Sequence, residues 1–104
     1  MIRATTPTHE FVFSENPSSF SRILITYSQD EKIVLEKEKS NLSFRQTETG
    51  EYVGSFRMTQ AESNLFSPDP VQVQVRVLRT DGEALASNKT TLKVEDVLND
   101  EVLT

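Results

Sequence analysis

The chain contains no cysteine. Disulfide staples and thiolate-held metals are therefore excluded, and cysteine usage carries no information about redox compartment. Tryptophan is missing too, which counts against a carbohydrate-binding module, because such modules rely on exposed aromatic rings. Histidine occurs once, as His9. Nucleophile-and-base catalysis is thereby left with one copy of its commonest base and no Gly-x-Ser-x-Gly to seat a nucleophile. A zinc site drawn from His, Cys and carboxylates needs three or four ligands and finds little to build on. The three glycines, Gly50, Gly54 and Gly82, lie too far apart to cradle a phosphate. No apolar run approaches the roughly 18 to 20 residues that span a bilayer, and Met1 to Pro7 lacks the apolar stretch of a signal peptide. The expectation is a protein made in a cytoplasm, with no membrane partner and no cofactor.

Positive charge is scarce and scattered. Eleven Lys and Arg face sixteen Asp and Glu, for a net charge of −5. Binding to phosphates needs clustered bases whose neutralising contacts release counterions. Here most bases have acidic neighbours, as in Glu36-Lys37-Glu38-Lys39, so no nucleic-acid partner is expected. Glu36 and Glu38 share one strand face with Lys37 and Lys39 on the other, the pattern of a solvated strand rather than of a carboxylate pair across a cleft. Asp96 to Glu101 lacks the alternating oxygen ligands and central glycine of a calcium loop. These absences together predict a protein that is not an enzyme.

What is present is alternation. In Val71-Gln72-Val73-Gln74-Val75-Arg76-Val77-Leu78 a valine recurs at every second position, the period of a half-buried strand. Pro68 and Pro70 stop what precedes it and Asp81-Gly82 turns the chain after it, so a central strand is predicted here. His9 to Phe13, with Phe11 and Phe13 on one face, reads the same way, as does Ser21 to Gln29 with Ile23, Ile25 and Tyr27. Gln29-Asp30-Glu31 turns the chain into Lys32 to Glu38, where Ile33 and Leu35 are expected to share a face; the two runs predict a hairpin. Leu42 to Gln46, Tyr52 to Met58, Ala84 to Ser87 and Thr90 to Val94 complete the strand pattern. Gly54, inside a strand, predicts a bulge or a close backbone approach. Thr59-Gln60-Ala61-Glu62 fits a capping box, with Ala61, Leu65 and Phe66 following at helical spacing, and predicts one helical turn crossing between sheets.

About seven short strands, 104 residues and only 36% hydrophobic residues predict an all-β, immunoglobulin-like antiparallel β-sandwich with one short helical crossover. A jelly roll or small barrel satisfies the same pattern. The expected organisation is an N-terminal arm over 1–8, the sandwich over 9–97 and an acidic tail over 98–104. With catalytic groups so sparse, function falls to surfaces. The candidate contact residues are Arg3, Thr5, Thr6 and Pro7 of the arm, His9 at the first strand, Tyr27 and Tyr52 at sheet margins, and Asp100 and Glu101 of the tail. Free strand edges are natural acceptors of a strand from another chain.

Several phrases occur together in a telling order: Met1 to His9 followed by Phe11 and Phe13; Ile23 to Gln29 leading to Ile33-Val34-Leu35-Glu36-Lys37; Met58-Thr59-Gln60-Ala61-Glu62; Val71 to Leu78; Asp81 to Ser87; and Asp96 to Leu103. In this order the chain resembles a family of short proteins encoded by phages and prophages of Gram-positive gut bacteria, over nearly its whole length. A looser similarity, at the level of fold, is to the N-terminal sandwich of phage baseplate upper proteins. The resemblance implies a phage structural or assembly accessory protein, of the tail or baseplate rather than the head. Such a protein would contact other phage structural proteins or further copies of itself, assembling in the bacterial host cytoplasm and ending as a virion component. It supplies no catalytic residues. The alternative is an acidic binder that inhibits a host protein, to which the net charge lends itself.

Overall fold

The computed structural model describes all residues, 1–104. Eight strands form in the order β1 (Thr8–Phe13), β2 (Phe20–Gln29), β3 (Lys32–Glu38), β4 (Ser43–Gln46), β5 (Tyr52–Arg57), β6 (Val71–Arg79), β7 (Ala84–Ala86) and β8 (Thr90–Leu92). One helical turn, α1 (Gln60–Ser63), lies between β5 and β6. All strand pairings are antiparallel. One sheet has the order β1-β5-β4; the other runs β3-β2-β6, with β7 and β8 sharing the far side of β6. The result is the expected two-layer, all-β sandwich of immunoglobulin-like size, with α1 as the crossover from one layer to the other. Its strand order is distinctive: β2 lies between β3 and β6, whereas the second strand of an immunoglobulin constant domain belongs to the sheet of the first and fifth.

The alternating residues do build the core. Ile23, Ile25 and Tyr27 of β2 stand opposite Val77, Val75 and Val73 of β6, and Phe13, Phe20, Phe56, Met58 and Phe66 close over them. Gly54 lets the phenylalanines through: a Cβ there would lie 2.8 Å from the Phe44 ring and 3.2 Å from that of Phe13. The register at Gly54 is regular, with no bulge, and what approaches closely there is aromatic side chains rather than another backbone. The β2–β3 turn uses Asp30 and Glu31 at φ +53° and +63°, the double left-handed geometry of a two-residue hairpin loop. Gln29, buried just before it, fastens the chain leading into β6: its amide donates to the Ser67 and Asp69 carbonyls and accepts from the Ser67 N–H.

Three expectations need correction. Ile33 and Leu35 do not share a face. The register slips between Tyr27 and Ser28, so that Leu35 opposes Tyr27 while Ile33 opposes Ser28. The extra residue, Val34, reverses the alternation and leaves Ile33 62% exposed. Tyr27 is not at a sheet margin, because β2 is paired on both sides and the side chain points inward; it is 0% exposed. In α1 the capping box forms, with Thr59 and Glu62 bonding each other's backbone N–H, but a single turn buries Ser63 and Phe66 and leaves Ala61 and Leu65 outside.

β7 and β8 are one strand interrupted by a bulge. The register with β6 shifts by one residue between Arg76↔Ala86 and Val73↔Thr90, so Ser87 and Asn88 together oppose Val75. Ser87 repairs the break: its N–H donates to the Val75 carbonyl and its hydroxyl accepts from the Val75 N–H. Eight strands therefore occupy seven strand positions.

Candidate functional site

The two layers differ in width. Three strand positions (β4, β5, β1) face four (β3, β2, β6 and the β7–β8 pair). On one flank β1 lies over Tyr27 of β2, and the inner side of β6 and β7 is left partly open from Val75 onward. The valine row records this directly. Val71 and Val73 are buried, but Val75 and Val77, on the same face of a strand paired on both sides, are only half-buried, and Leu85 next to them on β7 is 46% exposed. Between β1 and the β7–β8 pair runs a cleft of about 790 Å³, walled by Phe11 and Phe13 on one side and by Val75, Val77 and Leu85 on the other. Both strands along it are sheet edges with unpaired backbone groups.

His9 lies at one end of this cleft. Its Nδ1 is 2.5 Å from the Tyr27 hydroxyl, and its ring lies edge-on to Phe56. A buried hydroxyl needs an acceptor for its proton, so Nδ1 accepts and the neutral ring carries its hydrogen on Nε2. Burial holds the His9 pKa below its usual value, reinforced by the positive N-terminus, and burial pushes the Tyr27 phenol up. Both groups are uncharged near neutral pH. The pair is a structural link between β1 and β2.

The far end of the cleft is acidic. Glu15 pairs with Arg79, which also lies 3.6 Å from Asp81, and Glu83 adds to the field on the same guanidinium. Of these residues Glu15 lines the cleft. Elsewhere charges are tied within the fold. Lys37, whose neighbours Glu36 and Glu38 face outward, points between the layers, where it pairs with Glu62 of α1 and sits 5.4 Å from the centre of the Phe56 ring. Burial alone would raise the Glu62 carboxyl, but Lys37 and the Thr59 N–H outweigh it and hold it below the usual range.

The arm residues singled out in the sequence engage their own chain. Ile2 forms a parallel bridge with Glu95, and Arg3 donates to the Phe66 carbonyl at 2.6 Å, the Asn64 carbonyl at 3.3 Å and the Asp96 carboxylate at 2.6 Å, with Asp100 at 3.5 Å. The Thr5 N–H donates to the buried Ser63 hydroxyl, which donates back to the Thr5 carbonyl. The Thr6 hydroxyl accepts from Arg57, and the Pro7 carbonyl accepts from the Met58 N–H. Thr8 already belongs to β1. In the tail, Asp100 is held by Arg3 and Asn64, the Glu101 N–H donates to the Asn99 side chain, and Leu103 exchanges two hydrogen bonds with the Gln60 amide. Tyr52 is half-buried, its hydroxyl accepting from Asn16. Arm and tail therefore close one end of the sandwich over α1, and of the nine residues only His9 and its partner Tyr27 line the cleft.

The residues that wall the cleft were seen in the sequence as core. Half-burial at Val75 and Val77 depends on how strands are allotted to sheets, which strand periodicity does not encode. The fold and the flank define a class, the all-β sandwich with one layer a strand narrower than the other. No protein-family model, curated protein or solved structure matches the chain.

Proposed function

We propose that the protein is a non-catalytic phage structural or assembly accessory protein, of a tail or baseplate rather than a head, and that it works through contacts with other proteins. The observation that carries the contact role is the open apolar flank. Contiguous apolar surface bordered by unpaired strand edges is costly in water and serves association. The phage context rests on the sequence resemblance. His9, the one side chain suited to proton transfer near neutral pH, is committed to Tyr27, and no three His, Cys, Asp or Glu side chains gather as a metal would need. Mass spectrometry of purified particles tests the reading. It expects the protein in stoichiometric amount with tail proteins; absence from particles, with capture of one host protein from lysate, would replace it with the host-directed binder.

A further inference from the structure

The contact role leaves open what fills the flank, and resting on that role we propose that β1 accepts one extended segment of a partner protein, with apolar side chains at alternate positions and a basic residue at the Glu15 end. The Pro7 carbonyl bonds the Met58 N–H, and antiparallel pairing alternates the direction of backbone groups. Odd-numbered residues of β1 therefore bond β5, while Thr8, Glu10 and Val12 turn their N–H and C=O groups to the free edge. The other edges are blunted by recognised means. β3 has the Val34 bulge and an inward-pointing Lys37, β4 is four residues long, and β7 is three residues long and ends in a bulge. β1 offers six regular residues without bulge or internal proline. A strand added there would make the narrow layer four strands wide, and its inward side chains would cover Val75, Val77 and Leu85.

Charge selects the partner. At one end of the cleft Glu15 lines the wall, and Arg79, which pairs with it, also lies 3.6 Å from Asp81, so two carboxylates share one base and the end is net negative, while Glu10, the only charged residue of β1, is paired with Arg45. A basic flank on the incoming strand is favoured, and a second copy, bringing the same acidic end, is disfavoured.

The test uses isotope-labelled full-length protein and two short blocked peptides of alternating valine and threonine, one flanked at both ends by lysine and the other by glutamate. The lysine-flanked peptide is expected to shift the Glu10 and Val12 amides, protect them from exchange, and bind about fivefold tighter than the glutamate-flanked one at low salt. Val12→Pro removes an outward N–H and leaves the β1–β5 hydrogen bonds intact; it should weaken binding about tenfold. Leu85→Ser, at a half-exposed position on the cleft wall, removes apolar contact without adding charge and should weaken it as well. Shifts confined to β3 or to the outer sheet face, equal binding of the two peptides, or no binding would each overturn the proposal. Concentration-dependent dimerisation protecting the same amides would overturn it in favour of a second copy. If the peptides fail while the protein still co-purifies with particles, the occupant is wrong and the contact role stands; absence from particles removes the contact role whatever the peptides do.

Discussion

At the scale of single residues, the His9–Tyr27 pair makes stability depend on pH in a definite direction. The folded pKa of His9 lies below that of the free side chain. Between the two values the unfolded chain holds a proton that the folded chain does not, so stability falls as pH drops below about 6.5 and levels off under the folded value. Protonation also occupies the nitrogen that accepts from Tyr27. The urea midpoint measured from pH 7.5 to 5 should therefore fall, and His9→Gln should flatten that part of the curve; an unchanged slope in the variant would contradict the assignment. Gly54 is the second residue with a sharp consequence. Gly54→Ala pushes a methyl group against Phe44 and Phe13 and should cost about 1–3 kcal/mol by overpacking, read as a lower urea midpoint with an unchanged m-value.

At the scale of elements, most strands were legible because their cause is local. A period of two marked β2, β5 and β6 to within a residue or two, and the capping box marked α1. The β-bulges were not legible. Val34 looks like any β-branched strand residue, and its displacement follows from pairing with β2, a non-local fact. The same holds for Ser87-Asn88, where a hydroxyl takes the place of a backbone carbonyl. The β2–β3 turn was legible as a turn but not as one strained by its residues. Glu31 at φ +63° occupies a position suited to glycine. Glu31→Gly should raise stability by roughly 0.5–1 kcal/mol, seen as a higher urea midpoint; a lower midpoint would contradict the turn geometry.

At the scale of the whole molecule, the sequence made an all-β sandwich legible, and the candidate site was largely not. Arg3, Thr5, Thr6 and Pro7 drew notice as a polar arm with no visible partner, yet their partners are Asp96, Ser63, Arg57 and Met58, more than fifty residues away in the chain. The open flank arises because β2 pairs with β6 and not with β1, which leaves three strands facing four. Photo-crosslinking tests this claim most directly. A benzophenone side chain is placed at Leu85, on the rim of the cleft, or at Thr26, on the outer face of the wide sheet, and each variant is irradiated in cells assembling particles. The expected result is one dominant adduct with a phage protein from position 85 and little from position 26. Adducts from position 26 with none from position 85 would show that the molecule meets its partners through the other face.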